Sequence, residues 1–343
     1  MFKRHYRERR HSNPLFVIFR LILSVFMFGV LLVGVYSSYK HFSGLDPLKL
    51  DPQSVLKNVL LAKKPQELLG VLSSFKITQG ISSKISKTVL VSSQSGLENL
   101  TKQNVVFRFL LIADSHNDST NLKVAISQAR QTYPDLKFII GLGDYTDVGT
   151  IEELKNTKIE LDNANLRYFL IPGDHDLWDS RNRNLPATSD FTKVFGPNYQ
   201  SFTYENYRFL LIDNSDDYLG LGEAQLKWIN NELEKAKSDS VKGIFIFVHE
   251  PLFHPSSDHV MGKLEKDLRL QAKTLIFQFK GAGVKKIFAG DIHYFSEYSE
   301  PETNLSMVTV GAVVTDRNPQ SPRYAVVSVL DDSNTKVEDI EIK

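Results

Sequence analysis

From residue 105 onward, short apolar runs alternate with helix-spaced segments, and five of the runs stop at an aspartate or a histidine. VVFRFLLI (105–112) leads to Asp114-Ser115-His116, LKFIIGLG (136–143) to Asp144, and LRYFLIPG (166–173) to Asp174. GIFIFV (243–248) leads to His249, and VKKIFAG (284–290) to Asp291-Ile292-His293. The β-branched and aromatic content of these runs predicts strands. Apolar residues at helical spacing predict helices over 121–133, 151–163, 223–237 and 264–280. A hairpin over 199–213 turns at Glu205-Asn206, and strands over 307–314 and 324–330 close the set. Alternation of this kind implies an α/β fold of βαβ units, with helices covering both faces of the sheets. Ligands of such folds sit at the carboxyl ends of the strands, which is where the acidic and imidazole groups stand.

Pooled at one edge, Asp114, His116, Asp144, Asp147, Asp174, His175, Asp176, His249, Asp291 and His293 would repel one another unless cations lay among them. Carboxylate oxygen and imidazole nitrogen are the usual ligands of manganese, iron and zinc. Two such ions sharing a carboxylate clamp a phosphorus centre during in-line displacement. Each residue also has a plainer reading. Asp114 could cap the following helix, Asp144 and Asp147 could be turn residues, and His249 could be a core histidine. The order and setting of the set carry the inference, not any single member.

These residues stand in motifs. Asp114-Ser115-His116, Gly143-Asp144-Tyr145-Thr146-Asp147, Gly173-Asp174-His175-Asp176, the lone His249 and Gly290-Asp291-Ile292-His293 follow one another in that order. In this the chain resembles the calcineurin-like metallophosphoesterases, the broad group that includes purple acid phosphatases and class III cyclic-nucleotide phosphodiesterases. The resemblance spans roughly residues 104 to 330. It implies a four-layer β-sandwich flanked by helices, classed as α/β or, in some schemes, α+β. It implies a hydrolase that cleaves a phosphomonoester or phosphodiester by attack of a hydroxide bridging two metal ions. Asp114, His116 and His293 would hold one ion and Asp144 would bridge. The second ion would take Asp144, Asp174, His249 and Asp291. His175 would be the catalytic residue beside the substrate, and Asp147 and Asp176 would orient the ligands and His175.

Two positions depart from the family pattern. Asp174 stands where the family has asparagine, and Asp291 where it has the first histidine of its G-H-x-H. Both changes fall on the second ion and both introduce an anionic oxygen. The second site is therefore expected to be harder, favouring Mn2+, Mg2+ or iron (Fe2+ or Fe3+), with Zn2+ possible. Its water is expected to be less acidic, because ligand charge offsets the ion's pull. A degenerate second site is the rival reading.

The first hundred residues read differently. Residues 1–14 form a basic leader, with Lys3, Arg4, Arg7, Arg9 and Arg10 against Glu8. LFVIFRLILSVFMFGVLLVGVY (15–36) carries Arg20 as its only charge. As a helix it would reach about 33 Å, near the thickness of a bilayer core. The basic leader then predicts a cytoplasmic N-terminus by the positive-inside rule. The expectation is an N-terminal transmembrane helix that anchors the chain in the cell membrane by a single pass, with the catalytic domain extracytoplasmic. A buried core helix and a cleaved signal peptide are the alternatives. Residues 37–103 read as a stalk or linker with short helices at 54–62 and 65–72, followed by the phosphoesterase domain over 104–343.

The chain contains no cysteine, which excludes disulfides and thiolate metal sites. Net charge is +1 and the catalytic segment has no basic stripe, so no nucleic acid is expected as partner. The expected partner is a phosphate-ester small molecule or a lipid-linked phosphate. A non-catalytic binding protein for a phosphate-bearing envelope ligand and a metallonuclease are the competing functions. Loops at 177–192, 216–222 and 251–262 are the expected specificity loops. Arg181, Arg183, His254 and His259 lie in them and could touch substrate, and the plainer, favoured reading of each is a solvated loop residue.

Overall fold

The structure, a computed structural model, describes residues 104–343. The basic leader, the expected membrane helix and the stalk lie outside the described residues. Among the described residues no helix is long and apolar enough to cross a membrane.

The expected strands form, and they segregate into two sheets. Strands β1 (Val105–Ile112), β2 (Leu136–Gly141), β3 (Arg167–Leu170), β10 (Arg323–Leu330) and β11 (Thr335–Glu341) make a five-stranded sheet in the order β11-β10-β1-β2-β3. Strands β4 (Gln200–Tyr204), β5 (Tyr207–Leu211), β6 (Gly243–Phe247), β7 (Val284–Ala289), β8 (Ser296–Ser299) and β9 (Ser306–Thr309) make a six-stranded sheet in the order β4-β5-β6-β7-β9-β8. β1, β2 and β3 run parallel, as do β5, β6, β7 and β9. Their carboxyl ends carry the acidic and imidazole residues.

The central strands are apolar on both faces because each face is buried against a different partner. In β1, Phe107, Phe109 and Leu111 point to the other sheet, while Leu110 and Ile112 point to helices. In β6, Phe245 and Phe247 meet the first sheet, while Ile244 and Ile246 meet helices. The layer between the sheets is built of phenylalanine. Phe109 meets Phe209 edge-on at 5.6 Å, and Phe138 meets Phe209 at 5.4 Å and 88°, the T-shaped geometry the ring quadrupole favours.

Helices α1 (Ser119–Thr132), α2 (Ile151–Asn163) and α4 (Ser189–Phe195) cover the outer face of the first sheet, and α5 (Glu223–Ser238) and α6 (Lys266–Gly281) that of the second. Helices therefore cover one face of each sheet, not both as the alternation alone implied. The inner faces cover each other, which is the four-layer arrangement. Local chemistry sets the helix starts. Asp118 caps α1 by accepting from the Asn121 amide at 2.9 Å. Thr150 and Glu153 form a capping box at α2.

Several elements depart from the sequence reading. Strand β9 ends at Thr309 instead of reaching 314. Beyond it the chain crosses between sheets: Val310 N bonds the Ala289 carbonyl, and Val313 N and Val314 N bond the Ala113 and Asp114 carbonyls. Edge strands β8 and β11 were too polar to read as strands. The expected loop at 177–192 instead contains α3 (Trp178–Asn182) and α4.

Candidate active site

The loops that follow β1, β2, β3, β6 and β7 converge on one cleft of about 470 Å³. They do so by leaving their strands abruptly. Asp114, His116, Asp144, Asp291 and His293 all take left-handed backbone angles, with φ of 54°, 38°, 54°, 70° and 59°. Such angles are uncommon outside glycine, and they concentrate at functional sites where surrounding structure holds them. The neighbouring glycines allow the loops to close up. A Cβ on Gly173 would lie 2.1 Å from Asp144 Oδ1, and one on Gly143 would lie 2.6 Å from His249 Nδ1.

All seven residues expected to bind metal meet there, in overlapping groups. Asp114, His116, Asp144 and His293 each offer an atom within 4.8 Å of the others, and so do Asp174, His249 and Asp291. A third group, Asp144, Asp174 and His175, bridges the two. His116 Nε2 lies 3.5 Å from Asp144 Oδ2, and His249 Nε2 lies 3.6 Å from Asp144 Oδ1. Asp144 thus presents one oxygen to each group.

Hydrogen bonds behind the site orient the imidazoles. His249 donates from Nδ1 to the Leu142 carbonyl at 2.7 Å, which turns Nε2 toward Asp174 at 3.5 Å and Asp291 at 3.9 Å. Asn214 fixes the same segment, its Oδ1 accepting from the His249 and Glu250 amides. His293 donates from Nδ1 to the Arg317 carbonyl at 3.1 Å, which leaves its Nε2 facing His116 Nε2 at 3.3 Å. Orientation of a ligand through its other nitrogen is the usual second layer of a metal site.

Asp114, Asp144 and Asp291 are buried, and burial raises the pKa of each, that of Asp291 to about 8. Burial works the same way on Asp174, but His249, its Nε2 3.5 Å away, outweighs it and holds Asp174 at about 2. His249 shows the converse. Burial opposes its protonation, yet Asp144, Asp174 and Asp291 raise its pKa well above 6.5. Burial and the neighbouring imidazoles His175 and His293 lower His116 to about 3. In this protein alone, protons must occupy a space that carboxylates and lone pairs surround. Asp114 Oδ2, His249 Nε2 and Asp291 Oδ2 are buried without hydrogen-bond partners. Hard and borderline divalent cations satisfy that donor set, so the residues present fit a pair of metal ions.

The plainer readings fail for two of these residues. Helix α1 is capped by Asp118, which leaves Asp114 free for the site. His249 is fully buried, but only one of its ring nitrogens is satisfied by the core.

His175 lines the cleft and donates from Nδ1 to the Asp147 carbonyl at 2.8 Å. Trp178 stacks on its ring at 3.9 Å. The Asp147 carboxylate lies 3.7 Å from His116 Nδ1 and accepts from Asn117 and Arg317. The Asp176 carboxylate does not orient the His175 ring. It accepts from the amides of Tyr145, Thr146 and Gly173 and from the Thr146 hydroxyl, which ties the second and third loops together.

Of the two histidines whose plainer reading is a solvated loop residue, His254 is buried, and His259 is exposed but faces the site. His259 Nδ1 lies 3.5 Å from Asp291 Oδ2 and the ring lines the cleft. His254 is buried against Tyr294 and Tyr298, and its Nδ1 accepts the Ser256 and Ser257 amides. The signal available was position: both follow His249 in the same loop. Arg181 pairs with Asp216, and Arg183 with Asp179 and Asp190; neither lines the cleft. Asp217, Ser257 and His259 come to it from two of the expected specificity loops. Arg317 and Pro319 come from the connection before β10, which carried no motif. Burial pushes Glu250 up to about 10, with a hydrogen bond to Asp217 adding to the rise.

Two helix-flanked sheets with carboxylates and imidazoles gathered at their shared edge define the metal-dependent phosphoester hydrolases. The family model for calcineurin-like phosphoesterases matches residues 107–295, more than half of the chain. The protein belongs to that family, whose members use a binuclear metal centre, and is one of its hydrolases.

The chain is 28% identical over 222 residues to the serine/threonine-protein phosphatase CPPED1 of Pongo abelii, covering 60% of this chain and 68% of that protein. It is 30% identical over 132 residues to the probable glycerophosphodiester phosphodiesterase GpdQ of Arcobacter nitrofigilis, covering 37% of this chain and 45% of the relative. In fold it is similar to the purple acid phosphatase PPD1 of yellow lupin, with a TM-score of 0.52 and 15% identity over 70% of this chain. It spans about half the length of that enzyme, 52%.

Proposed function

We propose that the protein is a membrane-anchored phosphoesterase that hydrolyses a phosphomonoester or phosphodiester outside the cytoplasm. The observation that carries the catalytic part is the convergence of Asp114, His116, Asp144, Asp174, His249, Asp291 and His293 around Asp144, with buried lone pairs facing a common space. The anchor rests on the apolar run at 15–36 behind its basic leader, with the stalk at 37–103 joining it to a catalytic domain over 104–343. The relatives act on a protein phosphate in one case and a glycerophosphodiester in the other by their names, so both ester classes are open to this chain. A lipid-linked phosphate is the source that an anchored domain meets most directly.

Two divalent ions held in this site would supply Lewis acidity and an activated water for in-line displacement at phosphorus. Asp114, His116 and His293 would hold one ion and Asp174, His249 and Asp291 the other, with Asp144 available to both. The carbonyls of Leu142 and Arg317 keep His249 and His293 turned inward. His175 is held at Nδ1 by the Asp147 carbonyl, so Nε2 is the nitrogen left to stabilise phosphoryl charge and to protonate the departing oxygen. Trp178 limits the ring's rotation. The extra carboxylates at 174 and 291 favour Mn2+, Mg2+ or iron over Zn2+ on their side.

Hydrolysis of p-nitrophenyl phosphate and its bis-ester by purified protein, titrated with Mn2+ and Zn2+, tests the reading. Activity that requires metal and vanishes in Asp144→Ala supports it. Inert protein with two bound metals would favour a binding role, and best activity with zinc alone would remove the metal assignment.

A further inference from the structure

The cleft is strongly asymmetric in fixed charge. Asp144, Asp174, Asp217 and Asp291 line it together with four histidines, and among the described residues Arg317 is the only arginine or lysine that does. Asp114, Asp144, Asp174 and Asp291 bring four negative charges, which two divalent ions would only neutralise. A phosphate ester entering this site would therefore find little net attraction from the metal centre itself. Arg317, paired with Asp147, supplies the guanidinium donors of the cleft.

The arginine is held in place. Its backbone is left-handed at φ 56°, and its carbonyl accepts from His293 Nδ1 at 3.1 Å. The Asn318 side chain closes the same loop onto the Ala312 and Val314 carbonyls. Among the described residues its guanidinium makes a single hydrogen bond, Nη2 to Asp147 Oδ1 at 3.2 Å, and the side chain is 59% exposed. That contact orients the planar group, and its other N–H donors have no partner among the described residues. A guanidinium edge matches two oxygens of one phosphoryl group.

We infer that Arg317 is a specificity-determining residue that selects phosphomonoester dianions over phosphodiester monoanions. This rests on the phosphoesterase reading of the same site. A monoester carries a terminal phosphoryl group with three unsubstituted oxygens, so one or two can face the metal centre and two or one remain for Arg317. In a diester one of those oxygens bears a second substituent, and the arginine loses both an acceptor and a charge to answer.

The test uses full-length protein in detergent, loaded with Mn2+, with Arg317→Gln and Arg317→Lys beside the wild type. For p-nitrophenyl phosphate, kcat/KM is expected to fall on the order of 50-fold in Arg317→Gln, as loss of a charge-assisted contact implies. The bis-ester should change less than about threefold, and lysine should recover part of the monoester rate. Inorganic phosphate, titrated by calorimetry, should bind about 20-fold more weakly to Arg317→Gln, while metal content measured by plasma mass spectrometry stays unchanged. Equal losses on both esters, a loss of metal, or unchanged monoester hydrolysis would overturn the inference. If wild-type protein cleaves neither ester, the phosphoesterase reading fails on its own; unchanged phosphate affinity in Arg317→Gln would then overturn the role of the arginine separately.

Discussion

The two halves of the site are built at the same edge of the same sandwich, yet they differ in charge and in how they are held. One half gathers two imidazoles, His116 and His293, with Asp114 and the shared Asp144. The other gathers a single imidazole, His249, between Asp174 and Asp291. The first has nitrogen facing nitrogen at 3.3 Å, and the second has nitrogen facing carboxylate oxygen at 3.5 Å and 3.9 Å. Backbone geometry does not make the difference, because left-handed residues occur in both halves. Two side-chain identities, at 174 and 291, do. One architecture can therefore present two donor sets of different charge side by side.

The largest effect is expected where the halves join. Asp144→Ala should lower kcat/KM by on the order of a thousandfold and drop metal content well below two per chain by plasma mass spectrometry. Loss of only one half's metal would show that Asp144 is not shared. Asp291→His should make the second half resemble the first, raising the ratio of zinc- to manganese-supported activity about tenfold. An unchanged ratio would mean that the charge of the second half does not select its ion.

The pH dependence of the metal-free protein sharpens the same comparison. Asp291 holds its proton to about pH 8 in the fold, against an ordinary value of 3.8. A raised carboxyl pKa stabilises the fold while the proton is bound, fully below the ordinary value, and the contribution is lost as pH rises through 8. In EDTA-treated protein, the melting temperature of Asp291→Asn should therefore gain on wild type between pH 4 and 8. Mn2+ should reduce the gap's dependence on pH. Parallel profiles would remove Asp291 from the buried acidic half.

Smaller effects mark the surroundings. Trp178→Ala should lower kcat about tenfold with both metals retained, by releasing the His175 ring. Thr150→Ala, in the capping box of α2, should cost about 1 kcal/mol in urea unfolding with kcat/KM unchanged. A catalytic loss there would mean that the helix positions the site.

Much of this was legible before the fold was known. The strand ends, the four long helices and the pool of aspartates and histidines at the exits of apolar runs follow from apolar periodicity, and the family resemblance picks seven candidate ligands out of that pool. The polar edge strands β8 and β11 were not legible, because a strand at a sheet edge need not bury either face. Nor was the covering of each sheet, since buried strands read alike whether helices or a second sheet lie against them. Arg317 was not legible, and His259 was named as a possible substrate contact but read as a solvated loop residue, for a different reason. Each reaches the cleft through a loop whose course depends on distant contacts, such as the His293–Arg317 hydrogen bond.

Residue chemistry along the chain determined which groups are available to bind cations, because ligand type is a property of side chains and strand exits are local. Tertiary structure alone decided which oxygens Asp144 offers to each half, which imidazole nitrogen is free, and where the cleft keeps its one arginine. Those depend on the left-handed turns and the packing of two sheets, and the forces that set them act between residues far apart in the chain.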